Sequence, residues 1–340
     1  YSMKKTQVAL AALALVASTA ALADVTVYGN LDAGVAISKD KVNFYGDGNN
    51  ATTLFGLKGG EDLGSGLKLN WNLESGLDIA AGATNGPNGG GNKNLFNRAA
   101  WIGVDAGGYG VNIGNQFSNV VLAALVNGAT AVGGDGANIG TIVRVFGGAP
   151  GLYDATGASS SVFFIPSAVQ AYANVAGVSV NYMTRLAERD VNNSSYNGVT
   201  AATSFAGVNA AIGYQSGVYA VGTNNYSSTF LAANTTFEGL NSLRVNGVYA
   251  WNGDSLTKNG YMVGASMPLV GALSAGITYA DGGTAALGSQ TVGSLQYGLS
   301  KQTLVYVNHA HSSVAGKSMG NTGTTVTGKD LTTIGLKHSF

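Results

Sequence analysis

From residue 24 onward the sequence alternates with a period of two. Leu67, Leu69, Trp71 and Leu73 are separated by Lys68, Asn70, Asn72 and Glu74. A strand sends successive side chains to opposite faces, so this segment has one apolar face and one polar or charged face. Leu243, Val245, Gly247, Tyr249 and Trp251 oppose Arg244, Asn246, Val248 and Ala250 in the same way. The pattern recurs over Leu273–Tyr279, Gly293–Leu299 and Thr333–Phe340, where Ile334, Leu336, His338 and Phe340 share a face. Stretches of helical period that could cover a sheet are nearly absent. A chain patterned in this way is all-β, with two environments on the two sides of its strands.

The spacing predicts sixteen strands, at about 24–37, 52–59, 66–79, 96–105, 109–117, 161–173, 177–186, 199–206, 208–217, 228–237, 243–251, 260–268, 272–280, 291–299, 303–312 and 330–340. The connections alternate short and long. Short links fall near Gly59–Ser65, Ala106–Gly108, Asn174–Ala176, Gly207, Glu238–Ser242, Leu269–Gly271 and Ser300–Gln302. Long ones cover about 38–51, 80–95, 118–160, 187–198, 218–227, 252–259, 281–290 and 313–329. An even number of strands with short turns on one side and long loops on the other is the pattern of a transmembrane antiparallel β-barrel.

Composition narrows the choice. Only 10% of the residues are charged, against about 25% in soluble domains. The one sustained apolar run lies near the N-terminus and is shorter than the roughly 20 residues a spanning helix needs, so a polytopic helical membrane protein is excluded. Lys+Arg and Asp+Glu are both 17, so there is no basic excess to suggest nucleic-acid binding. Unpaired backbone groups are costly in lipid, so strands that cross a bilayer must close into a barrel. Sixteen strands leave room for an aqueous lumen. Tyr249, Trp251, Tyr261 and Tyr279 fall near the long-loop end of their strands and Phe237 and Tyr297 near the other, as two interfacial aromatic girdles do.

The N-terminus reads as an export signal. Lys4 and Lys5 precede the unbroken apolar run Val8 to Val16, and Ala21-Leu22-Ala23 supplies a small-x-small cleavage site. Residues 1–23 are therefore expected to be a removed signal peptide and 24–340 a single barrel domain. Cleavage would remove two lysines and no acids, leaving a net charge of −2. With no cysteine, disulfides contribute nothing to an exported form.

Several blocks carry a family resemblance. Residues 24–35 read DVTVYGNLDAGV, 56–76 GLKGGEDLGSGLKLNWNLESG, 95–116 LFNRAAWIGVDAGGYGVNIGNQ and 295–307 LQYGLSKQTLVYV, and the last residues are GLKHSF. Together these resemble the general diffusion porins of Gram-negative bacteria, most of all their β-proteobacterial branch. The resemblance implies an outer-membrane homotrimer of sixteen-stranded barrels, each pore narrowed by an inward-folded third loop. It implies passage of small hydrophilic solutes and ions, and contact with the bilayer and lipopolysaccharide. It also implies that Phe340 forms part of the signal read by the outer-membrane assembly machinery.

The longest loop, about 118–160, is the third long one, and its apolar stretch Val120 to Val126 suits a short helix leaning on the barrel wall. Its charges are Asp135, Arg144 and Asp154. On the wall, alternation puts Tyr28, Asn30 and Asp32 on one face, Gly56 with Lys58, and Lys68 with Glu74; Arg98, Arg185, Arg244 and Lys337 also fall on polar sides. Basic side chains in a pore raise anion occupancy and acidic ones cation occupancy. The family usually has arginine at the positions matching Leu54 and Asn115, both uncharged here. Arg98, Lys58 and Asp32 are the constriction residues the resemblance carries over, with Tyr28, Asp135, Arg144 and Arg185 as further lumen candidates. Lys68, Arg244 and Lys337 read instead as solvated charges at the mouth. Selectivity is expected to be weaker than in arginine-rich members.

Other chemistries find no support in the residues. His309 and His311 share a strand face, read as facing the lumen or mouth, and a metal site would need further ligands. The glycine run at 86–91 lacks the strand–turn–helix setting of a phosphate loop. No cofactor, metal or catalytic residue is expected. An outer-membrane barrel enzyme would need a Ser/His or Asp/His dyad at the rim. A secreted β-solenoid would need a fixed repeat, and none is found. A substrate-specific porin is the nearer alternative, and aromatic side chains along the lumen would favour it.

Overall fold

The computed structural model describes residues 24–39, 41–84, 95–134, 141–142, 145–146, 163–186, 195–218, 225–253, 258–283, 288–315 and 328–340. The expected signal peptide, together with Asp135, Arg144 and Asp154, lies outside them.

All strands belong to one antiparallel sheet. In chain order they are β1 (Asp24–Ser38), β2 (Lys41–Tyr45), β3 (Leu54–Gly64), β4 (Leu67–Gly76), β5 (Ala100–Asp105), β6 (Tyr109–Phe117), β7 (Phe164–Val175), β8 (Val178–Arg185) and β9 (Ser195–Phe205). There follow β10 (Val208–Val218), β11 (Asn225–Phe237), β12 (Leu243–Asn252), β13 (Gly260–Val270), β14 (Leu273–Asp281), β15 (Ser289–Gly298), β16 (Thr303–Ser312) and β17 (Asp330–Ser339). Consecutive strands pair, and the sheet closes where Asn30–Ser38 of β1 meets Leu331–Ser339 of β17. Seventeen strands fill sixteen barrel positions, because β2 and β3 share one. β2 pairs with Gly34–Ser38 and β3 with Asp24–Asn30, both on the edge of β1 that faces away from β17. Closure of β1 on β17 removes the open sheet edge that lipid does not tolerate.

The alternation sets the two faces. Val27, Leu31, Val35, Ile102, Val104, Ile113, Val245, Ile277, Leu295 and Leu336 are exposed on the outside, where no described residue covers them. Their strand neighbours Ala36, Asn246, Thr278 and Ser294 are buried on the inside. An apolar band of this kind is a surface suited to lipid. Tyr249 lies beside Trp251 and Tyr261 beside Tyr279, with tilted rings whose centroids are 4.6 and 6.0 Å apart. No helix among the described residues is long and apolar enough to cross a membrane. Two of the short connections are the two-residue turns Ala176–Gly177 and Ala206–Gly207, with φ positive at both positions. That is the geometry whose twist matches antiparallel strands.

The apolar core sits inside the barrel. After β6 the chain turns inward into α1 (Asn119–Gly128). Val120, Val121 and Ala124 pack against Phe230, Ala232, Val248, Ala250 and Met262 of the inner wall, with Ile142, Val145 and Phe146 completing the cluster. The helix predicted over Val120–Val126 therefore forms and leans on the wall as expected. Ser118 caps it, its Oγ accepting from the Val121 amide at 3.3 Å. Carbonyl oxygens at its other end are satisfied by the wall: Asn234 Nδ2 donates to Asn127 O at 2.8 Å and Asn246 Nδ2 to Gly128 O at 2.6 Å.

One expected loop is different. Residues 38–51 read as a long outer connection, yet Lys41–Tyr45 continues the hairpin as β2, and the chain then folds inward over 46–53. Asp47, Asn49, Asn50, Thr52 and Thr53 are buried there. The cause is Asp32, whose carboxylate gathers the backbone amides of this segment.

Candidate functional site in the barrel lumen

β1, β3, β4 and the stretch before β5 build one side of the lumen. Register places Tyr28 opposite Gly56 and Thr26 opposite Lys58, then Gly56 opposite Glu74 and Lys58 opposite Asn72. All these side chains share the inward face. The Tyr28 hydroxyl lies 2.8 Å from Asn72 Oδ1 and 3.0 Å from Glu74 Oε2. Arg98 donates through Nε to Glu74 Oε1, and its guanidinium stands 4.8 Å from the Phe164 ring centroid. The side chains of this pair are only 10% and 13% exposed, so Arg98 reaches the lumen as half of a neutral pair. Lys58 is exposed, with Nζ 5.2 Å from the Tyr28 ring centroid.

A bulge supports this side of the wall. The β6–β7 register shifts between Gly114 and Gln116, and Asn115 Nδ2 donates to Arg98 O. Bulges re-aim side chains in this way. Asn115 thus holds the backbone of Arg98 and carries no charge.

α1 faces this cluster from across the lumen. It packs on β9–β12, about half the barrel away from β3. Leu122 and Val126, on the side away from the wall, are 45% and 63% exposed. The loop side of the narrowing is therefore apolar among the described residues.

Asp32 is fully buried. Oδ2 accepts from the amides of Asn49, Asn50 and Ala51 at 3.0, 2.5 and 2.7 Å, and Oδ1 accepts from the Tyr306 hydroxyl at 2.5 Å. It was expected at the constriction, but these partners shield it from the lumen and give it a fastening role. Arg185 is half-buried at the outer end of β8, on the inward face opposite Ala168. Asp47, in the inward segment, is 3% exposed, and its Oδ2 has no hydrogen-bond partner among the described residues. Burial raises its pKa to about 7, and the nearby carboxylates Asp78 and Asp32 add to the shift.

The histidines take the face opposite to the expected one. In β16, Tyr306, Asn308 and Ala310 are buried inside, so Val305, Val307, His309 and His311 point outward. His311 Nδ1 lies 2.7 Å from Asp330 Oδ1 and His309 Nδ1 2.9 Å from Thr332 Oγ1. The pair therefore lies outside the lumen. Phe340 closes the barrel seam, exchanging backbone hydrogen bonds of 3.1 Å with Gly29 in both directions.

Sequence reasoning missed two aromatic residues. Trp101 lies opposite Asn72 and so faces inward, while its neighbour Ile102, opposite Trp71, faces outward. Tyr172 is held inward by a 2.8 Å hydrogen bond to Asp105 Oδ2. Parity was the available signal: Trp101 shares a face with Asp105, and Ile102 with Val104.

Comparison with known proteins agrees with this architecture. An anion-selective porin from Comamonas acidovorans superposes with a TM-score of 0.71 at 20% identity, over 94% of this chain and 100% of that one. OmpF of Salmonella typhi, in a complex with daunomycin, superposes with a TM-score of 0.64 at 15% identity, over 93% and 97%. Among named relatives, the major outer membrane protein P.IB of Neisseria meningitidis is 38% identical over 117 residues, 32% of each chain. P.IB of Neisseria gonorrhoeae is 41% identical over 103 residues, 28% of each. These alignments span about a third of the relatives' length. The profile of the Gram-negative porins, in contrast, matches residues 9–317, from the N-terminal apolar run to beyond β16. With a closed sheet, an apolar exterior and an inward-folded helix in its lumen, the chain belongs to the Gram-negative porin family.

Proposed function

We propose that the chain forms a water-filled channel in the outer membrane for passive diffusion of small hydrophilic solutes and ions. The observation that carries this reading is α1, packed on one inner wall by Val120, Val121 and Ala124 while Lys58 on the other wall stays exposed. A closed barrel of this size has room for water beside one helix. Size exclusion follows from α1, and charge steering from whatever ionised groups face the remaining lumen.

Lys58 is exposed, Arg98 is neutralised by Glu74, and Asp32 is buried. These three facts support weak anion selectivity. The solved neighbour from Comamonas is described as anion-selective, and a Vibrio cholerae neighbour, OmpT, has been solved in a trimer form. A homotrimer, export by a cleaved signal at residues 1–23, contact with lipopolysaccharide, and recognition of Phe340 by the assembly machinery complete the proposal.

The deciding experiment is single-channel recording of residues 24–340 in a planar bilayer, with reversal potentials in a salt gradient. Stepwise conductance with closure in threes is expected. Absence of conductance steps would remove the channel reading.

A further inference from the structure

The lumen carries a second feature, nearer the short-turn end than the Arg98–Glu74 pair. A recess of about 440 Å³ is lined by Lys58, Asn70, Asn72, Trp101, Asn112 and Tyr172, among other residues. This is within the range of about 300–1,000 Å³ typical of small-molecule sites.

The recess is built into the wall. Gly60, Gly103 and Gly110 lie where an inward side chain would close it. A Cβ on Gly103 would come within 1.9 Å of Asn112 Oδ1, and one on Gly110 within 2.3 Å of the Tyr172 ring. The amide and the ring therefore lie over the glycines instead of standing into the pore. Asp105 fixes the Tyr172 hydroxyl, and Gln170 Oε1 accepts from Asn112 Nδ2 at 3.3 Å.

The lining indicates the ligand. Aromatic residues of this barrel such as Tyr249, Trp251, Tyr261 and Tyr297 are exposed on the outer face. Trp101 and Tyr172 are turned to the inside, where they offer apolar ring surface to passing solutes. Around them stand three carboxamides, each with donors and acceptors, and one ammonium, which donates only. Apolar ring surface bordered by amides matches a pyranose, whose C–H faces are apolar and whose hydroxyls radiate from the ring edge. With a single cation, the lining is a poor match for a phosphate or a metal ion.

We propose that this recess is a weak binding subsite for pyranose sugars on their way through the lumen. The proposal rests on the channel reading, because a solute reaches the recess only through an open pore. Transient occupancy at such a site raises flux at low solute concentration without any coupling to energy.

The test uses Trp101 as its own probe. The chain has three tryptophans: Trp251 is exposed on the outer face, and Trp71, which shares the register of Ile102 and borders the recess, is replaced by phenylalanine so that Trp101 alone reports. The Trp71→Phe/Trp251→Phe protein, assembled in detergent or bilayer, is titrated with methyl glucoside and, separately, with sorbitol, an acyclic molecule of similar hydroxyl content. The expected result is a saturable change in Trp101 emission with methyl glucoside in the millimolar range, and only a linear drift with sorbitol. Tyr172→Ala and Asn112→Ala in the same background should each weaken the saturation about tenfold or abolish it. Equal linear responses to both solutes, or saturation indifferent to both substitutions, would overturn the subsite. Potassium chloride conductance of the same preparation separates the two failures: intact steps with a flat titration sink the subsite alone, and missing steps sink the channel as well.

Discussion

Tyr306 donates its phenolic proton to Asp32 Oδ1 at 2.5 Å, although β17 lies between their strands. Tyr45 approaches the same hydroxyl at 2.5 Å, and both tyrosine hydroxyls lie over Gly335, which leaves them room. Among the described residues the buried carboxylate has no cation partner; its hydrogen bonds come from one hydroxyl and from the three amides of residues 49–51. Successive amides converging on an anion form a nest. The seam of the barrel and the inward segment 46–53 are thus joined through Asp32, and a second tie runs through Asn49, whose Oδ1 accepts from Asn308 Nδ2 at 2.8 Å and from Thr333 Oγ1 at 2.9 Å.

Asp32→Ala leaves the buried amides of Asn49 and Asn50 and the part-buried amide of Ala51 without their acceptor, at about 1–3 kcal/mol for each buried one. We expect a stability loss of about 3 kcal/mol or more in denaturant unfolding, with amides 49–51 becoming fast to exchange. Tyr306→Phe removes one donor and leaves the nest intact, so its loss should be smaller, about 1.5–3 kcal/mol. If Asp32→Ala and Tyr306→Phe cost the same, or amides 49–51 stay protected, the carboxylate does not hold the segment.

Asp47 makes the same segment pH-sensitive. Its carboxyl is raised from 3.8 to about 7 by burial, with Asp78 and Asp32 adding to the effect. Between about pH 4 and pH 7 the folded chain keeps a proton that the unfolded chain has released. Stability from this group is therefore greatest below pH 4, falls as pH rises through the window, and is fully lost above about pH 7. Amides of 46–53 should exchange more slowly at pH 5 than at pH 8, after correction for intrinsic rates. Asp47→Asn should flatten that difference, and an unchanged difference would assign the pH response to another group.

Much of the barrel was legible because alternation is a local signal. Leu67–Glu74 and Leu243–Trp251 declare their faces within eight or nine residues, and the apolar stretch of α1 stands out in a glycine-rich loop. What stayed hidden depends on partners far along the chain. β2 is five residues long and runs directly into the segment gathered by Asp32, so KVNFY read as loop. Arg98 stood out as a candidate, but its neutralisation depends on Glu74, 24 residues earlier. His309 and His311 show the opposite case. They continue the outward row of Val305 and Val307, so parity gave their face correctly, and their polarity argued for the wrong one. Parity also marks Trp101, which shares a face with Asp105, but nothing else in the sequence singles that residue out.

Pairing of Arg98 with Glu74 makes opposite predictions for its two halves. Glu74→Gln frees the guanidinium and should shift the reversal potential toward anions. Arg98→Ala exposes a carboxylate and should shift it toward cations. One charge acting over about 4 Å of water is worth about 1 kcal/mol, so each permeability ratio should change by no more than about fivefold. The double substitution Glu74→Gln/Arg98→Gln should return close to the parent value. If Arg98→Ala leaves the reversal potential unchanged, the pair lies off the ion path.

Adjacent residues of α1 offer a control for where the lumen runs. Val121 is 2% exposed and packs on the wall, whereas Leu122, about 100° further round the helix, is 45% exposed. Leu122→Glu places a solvated carboxylate in the pore facing Lys58. It should leave thermal stability nearly unchanged and move the reversal potential toward cations, again by up to about fivefold. Val121→Glu buries the same charge against Phe230 and Val248 without a partner, which costs several kcal/mol. It should detach α1 and appear as lost stability and noisy conductance. The pair distinguishes a helix resting on the inner wall from one standing free of it. On the wall, selectivity responds at 122 and stability at 121, whereas for a free-standing helix the two positions would respond alike.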